Sequence, residues 1–95
     1  MAIFMRAVLP DVTTEQYEAL NEDLRNQPGD IFAGCLAHVC VPTGTGLEIY
    51  DLWESEEAMN KFATSMMPVA ERRGMTAVSG GPQVMPVHRY WFPGQ

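Results

Sequence analysis

Basic residues are scarce in this chain. Lys and Arg together number six against twelve Asp and Glu, for a formal net charge of −6 with histidine neutral. Nucleic-acid backbones and anionic membrane surfaces are bound through clustered cations, so neither is an expected partner. Cysteine is rarer still, with only Cys35 and Cys40. They stand five apart on one expected strand, and an odd separation sends side chains to opposite faces, out of disulfide reach. Two free, buried thiols in a reducing cytoplasm are therefore expected rather than a redox pair. No apolar run approaches the ~20 residues of a membrane-crossing helix. Met1–Leu9 lacks a basic segment followed by a long apolar core, so it does not read as a signal peptide. The only histidines, His38 and His88, have no Cys, His or carboxylate neighbours at metal-ligand spacing, so no metal is expected. Gly80-Gly81-Pro82 lacks the preceding strand, following helix and Lys of a phosphate loop, and no nucleophile elbow is present.

What remains is a globular composition, 46% hydrophobic and 19% charged, in 95 residues. That length makes one domain, 1–95, with a core over about 2–91 and a tail at 92–95. The stretch from Gly46 to Ala70 is its most informative part. Residues 47–53 are rich in β-branched and aromatic side chains and read as a strand that ends on Trp53. Ser55 can cap a helix whose first turn carries Glu56 and Glu57, favourable at the positive end of the dipole. Ala58, Met59, Phe62, Ala63, Met66 and Val69 then recur at helical spacing, to about residue 73. Pro68 should kink this helix or open a second one, and Gly74 should stop it.

The remaining elements fall on either side. Residues 2–9 form a first strand, ended by Pro10-Asp11. Thr13 and Gln16 make a capping box for a helix to about Asn26, with Tyr17, Leu20 and Leu24 inward. A second strand is expected over 31–41, with Gly34 at a possible bulge, and a hairpin at 42–46 joins it to the strand at 47–53. A glycine-rich loop at 75–83 leads to a last strand over 84–91. The order β-α-β-β-α-β is that of a ferredoxin-like α+β fold. Its four-stranded antiparallel sheet carries both helices on one face, with the first and third strands central.

Neither face of these strands is consistently polar. The first strand sets Ile3, Met5, Ala7 and Leu9 against Phe4, Arg6 and Val8. A sheet with one wet face should alternate apolar and polar side chains. Two helices cover only one face, and leaving the other wet forfeits several kcal/mol at ~25 cal/mol per Å². A face-to-face homodimer is the expected remedy.

The element order, the two-faced sheet and the junction Trp53-Glu54-Ser55-Glu56-Glu57-Ala58 together resemble the dimeric α+β barrel proteins. Within them, the likeness is to the small antibiotic-biosynthesis-monooxygenase-like domains, over nearly the whole chain. This resemblance implies a barrel formed between two subunits and a pocket between each sheet and its helices. It also implies a protein of secondary metabolism that oxidises a small aromatic or polyketide-type substrate without metal or flavin. Relatives act on other substrates or bind haem. One departure stands out: where many members carry a histidine nine residues after the tryptophan, this chain has Phe62.

Within that frame, Trp53 either walls a pocket against a flat substrate ring or packs in the core. Asp51 shares its face. It either takes a proton from substrate or pairs with Arg6 on the neighbouring strand, if register allows. His88, sharing a face with Tyr90, is the better histidine for a general base. Asp51, His88 and Trp53 are thus the candidate catalytic residues. Trp53, Phe62, Met66, Tyr90, His38 and Arg6 are the candidates for lining a small aromatic or apolar ligand. The other readings are a non-catalytic barrel that binds an apolar ligand, and a cyclase or isomerase that uses the same pocket.

Overall fold

The computed structural model describes residues 1–75 and 81–95. Chain order runs β1 (Ile3–Pro10), α1 (Thr14–Arg25), β2 (Cys35–Thr43), β3 (Gly46–Trp53), α2 (Glu56–Arg72) and β4 (Gln83–Pro86). The four strands make one sheet in the order β2-β3-β1-β4, with every neighbouring pair antiparallel. This is the ferredoxin-like α+β fold, with β1 and β3 at the centre. Among the described residues, no helix is long and apolar enough to cross a membrane.

Local chemistry accounts for where the helices begin and end. Thr13 accepts from the Gln16 amide while the Gln16 side chain accepts from the Thr13 amide, a closed capping box. Ser55 accepts from the Ala58 amide and starts α2. At the far end Gly74 adopts φ 72°. Its amide donates to the Glu71 carbonyl and that of Met75 to Ala70, so orphan carbonyls are satisfied in a Schellman turn. One helix runs unbroken through Pro68, which neither opens a second helix nor ends the first.

The inner face of the sheet and the helices share two adjoining cores. One gathers Ile3, Met5, Ile49, Trp53 and Met59. The other joins Leu20 and Leu24 of α1 to Val69 and Ala70 of α2, with Met75. An Arg73–Asp23 bidentate pair ties the end of α2 to α1 at the surface.

Two strands are shorter than the sequence suggests. Residues 31–34 form turns, and β2 starts only at Cys35. The last strand ends at Pro86 instead of continuing to 91. One further amide, Val87, reaches the Ala2 carbonyl before the tail leaves the sheet. Most of the glycine-rich loop expected at 75–83 lies outside the described residues.

Gly34 marks the entry to β2. It has φ 90°, and a Cβ there would sit 2.6 Å from the Ala58 Cβ at the start of α2. Its carbonyl accepts from the Glu54 amide at 2.8 Å, so the backbones touch where β3 turns into α2. A side chain would be strained in conformation and overpacked. We expect Gly34→Ala to lower stability by about 2–4 kcal/mol in urea unfolding. A loss under about 0.5 kcal/mol, the size of an ordinary surface change, would contradict this account of the junction.

Candidate functional site

Strand β3 directs Leu47, Ile49, Asp51 and Trp53 toward the helices. Asp51 is the one buried charged residue among those described, at 4% exposure. A carboxylate in an apolar layer must find partners. Asp51 Oδ1 lies 2.5 Å from His38 Nδ1, and Oδ2 accepts from Trp53 Nε1 at 3.3 Å. His38 is directly across the ladder from Asp51. An ionised carboxylate only accepts, so Nδ1 carries the proton and Nε2 is left as the acceptor. The Tyr17 hydroxyl on α1 fills that position at 2.5 Å, its ring lying parallel to the imidazole.

The Thr43–Gly46 hairpin sets this register, and a β-bulge follows just beyond His38. The pairing shifts between Cys35 and Ala37, so Cys35 faces Trp53 and Cys40 faces Ile49. Both thiols therefore point to the inner face with His38, although their odd spacing predicted opposite faces. They remain free, separated by the four-residue step from Trp53 to Ile49 along β3.

The expected Asp51–Arg6 pair does not form. In the β1–β3 ladder Met5 faces Asp51 while Arg6 faces Tyr50, which puts Arg6 on the outer face. There it makes an ion pair with Glu48 at 2.6 Å, and the Tyr50 hydroxyl donates to the same carboxylate. The Tyr50 and Glu48 contacts raise the Arg6 pKa, and the Tyr50 and Arg6 contacts lower that of Glu48.

A cavity of about 400 Å³ lies between sheet and helices. Met5, Ala7, Leu9 and Ile49 form its floor, with His38 and Asp51 at one side. An aromatic wall is built by Trp53 and Phe62, 5.3 Å apart, with Phe32 5.4 Å beyond. Met66, Met67 and Ala70 of α2 and Tyr17, Leu20 and Leu24 of α1 close the rest. Asn21 and Arg25 add polar groups on the α1 side. The size and the apolar lining with a few convergent polar groups suit a small organic ligand.

Of the residues singled out from the sequence, the cavity brings together Trp53, Asp51, His38, Phe62 and Met66. His88 and Tyr90 do not join it. Both are exposed beyond the end of β4, and Tyr90 packs edge-on against Phe92. The shortness of β4 is the physical reason: past Pro86 the chain no longer follows the alternation that would have aimed them inward. Tyr17 and Cys35 are the lining residues with a polar atom that sequence reasoning left buried, alongside the apolar Leu20 and Leu24. The available signal for Tyr17 was a polar-tipped ring on the inward stripe of α1. Among the described residues no cluster of three or more His, Cys, Asp or Glu is placed to hold a metal ion.

Burial pushes the Cys35 thiol up to about 11, with the nearby Asp51 charge acting in the same direction. Burial also raises Cys40 and the Tyr17 phenol. At pH 8 only about one Cys35 in a thousand is thiolate. Iodoacetamide followed by peptide mass spectrometry should label Cys35 at least ~100-fold more slowly than free cysteine. Labelling at the free-cysteine rate would contradict the placement of this thiol.

No family model matches the chain, and no curated protein matches it; solved structures do. A Chloroflexus aurantiacus protein described as an antibiotic biosynthesis monooxygenase superimposes over 96% of this chain and 98% of its own, at 18% identity and TM-score 0.62. The chain has the fold of the antibiotic biosynthesis monooxygenases. SnoaB, a cofactor-independent oxygenase from Streptomyces nogalater, matches over 94% of both chains at 11% identity and TM-score 0.58. A Streptomyces coelicolor monooxygenase solved with nanaomycin D matches over 95% of this chain and 90% of its own, at 18% identity and TM-score 0.50. At these identities the antibiotic-biosynthesis-monooxygenase fold is what is shared.

Proposed function

We propose that this protein is a monooxygenase-like enzyme that removes a proton from a small aromatic substrate and lets the resulting carbanion react directly with O₂. The observation that carries this reading is the Asp51–His38 pair at the edge of an apolar, aromatic-walled cavity. Asp51 fixes the ring and stabilises the imidazolium, and His38 is the proton acceptor. His38 rather than His88 is the base, since His38 meets the carboxylate and the cavity while His88 meets neither. Trp53 holds the imidazole's partner from the other side and offers a ring face for stacking. The solved cofactor-independent oxygenase with this fold supports the reaction class.

For an anthrone-type methylene the balance closes without another reductant. The proton leaves to His38 and the carbanion passes one electron to O₂. Recombination gives a peroxide, which loses water to leave the ketone. The protein orients the ring and excludes bulk water.

Oxygen uptake with a panel of anthrones and hydroquinones tests this. The wild type should consume O₂, and Asp51→Asn should lose roughly 10²–10⁴-fold in kcat, the range of a general-base contribution. Uptake that is absent across the panel would refute the oxygenase reading. Turnover without uptake would favour a cyclase or isomerase, and binding without turnover a ligand-binding barrel.

The homodimer belongs to the same proposal. The outer face of the sheet carries Phe4, Val8, Val39, Val41 and Met85, all exposed by 36% or more, around the Arg6–Glu48–Tyr50 group. A contiguous apolar sheet face of this kind marks a partner surface, and a second copy would cover it. Sedimentation should give a dimer that Val39→Glu dissociates by at least about tenfold in Kd. A wild-type monomer at micromolar concentration would contradict it.

A further inference from the structure

The acceptor nitrogen of His38 does not face an empty cavity. Its Nε2 is taken by the Tyr17 hydroxyl at 2.5 Å. Tyr17 is held there by packing rather than by a loose tether. Its ring packs against the core formed by Ile3, Met5, Ile49, Trp53 and Met59 and lies parallel to the imidazole, and its backbone lies in the second turn of a capped helix. A phenolic oxygen has one proton and two lone pairs. With the proton committed to Nε2, the oxygen keeps lone-pair capacity beside Asn21, on a residue that lines the cavity. Asp51, His38 and Tyr17 thus form one continuous hydrogen-bonded chain from a buried carboxylate to the cavity.

We infer that Tyr17 is the catalytic residue that touches the substrate, and that it hands protons on to His38. The inference rests on the proton-abstraction reading above. In the step, a substrate C–H or O–H proton moves to the Tyr17 oxygen as the hydroxyl proton of Tyr17 moves to His38 Nε2. The substrate is left as the anion, Tyr17 stays neutral, and the positive charge sits on an imidazolium beside Asp51. No tyrosinate has to be stored in the apolar pocket, where burial disfavours it. His38, with its side chain 40% exposed, can then return the proton to solvent while the ligand stays covered.

Anthrone is the probe, with O₂ uptake for turnover and anaerobic quenching of tryptophan fluorescence for binding. Tyr17→Phe should lower kcat ~100-fold or more while leaving the anthrone Kd within about threefold, since only a proton carrier is removed. The wild type should show a normal solvent isotope effect on kcat with C–H anthrone in D₂O, because the Tyr17 proton moves in the step. Tyr17→Phe turnover close to wild type, with His38→Gln inactive, would overturn the relay and leave His38 as a direct base. A wild-type isotope effect of one would overturn it too, and needs no variant to fold. Anthrone left untouched by the wild type would remove the relay together with the reading beneath it.

Discussion

A carboxylate on the central strand of an apolar sheet is the demand that this structure is arranged to meet. Leaving Asp51 unpaired would cost several kcal/mol, and burying it with one partner removed would be nearly as poor. Three elements answer. β2 supplies His38 directly opposite, β3 supplies Trp53 two residues on, and α1 supplies Tyr17 behind the imidazole. A buried network is an asset only when every member is satisfied. Among the described residues no buried side-chain polar atom lacks a partner. The same contacts that permit the charge to be buried leave one basic nitrogen capped by the hydroxyl of Tyr17, a residue of the cavity wall.

That arrangement depends on backbone features remote from the cavity. Regular pairing back from the Thr43–Gly46 hairpin brings His38 opposite Asp51, and the bulge between Cys35 and Ala37 then turns Cys35 to the same inner face. Gly34, immediately before it, lets β2 begin within contact distance of Ala58 and of the Glu54 amide. The strand-to-helix junction at Trp53–Ser55 is therefore braced from β2. Pocket geometry and the start of α2 are one structural problem with one solution.

Much of the fold could be read from the chain because it follows local rules. Alternation in β1 and β3, the capping box at Thr13, the Ser55 cap and the glycine stop at Gly74 are short-range signals, and each holds. The site was harder to read, for reasons of parity. Strand faces are inferred by counting in twos, and a single inserted residue reverses every assignment beyond it. The bulge thus moved Cys35 to the inner face and broke the expected separation of the thiols. Arg6 and Asp51 looked like a natural ion pair by charge alone. The β1–β3 register sets Arg6 against Tyr50, so Arg6 pairs with Glu48 and Asp51 with His38. His88 and Tyr90 share one face only if the strand is extended past Pro86, where it stops. Long-range register and strand length are set by tertiary pairing, which no local pattern encodes.

Phe62 sets the character of the far side of the pocket. It packs between Trp53 and Phe32 and makes the far wall aromatic, so the polar chemistry of the cavity comes from Asp51 on β3, His38 on β2 and the α1 side. The account stands on the carboxylate holding one tautomer of one imidazole. Long-range ¹⁵N NMR of His38, above the ordinary titration range of imidazole, reads that directly. A proton on Nδ1 with Nε2 bare is the result required, converting to a mixture in Asp51→Asn. A proton on Nε2 in the wild type, or rapid averaging of the two nitrogens as in free imidazole, would contradict it.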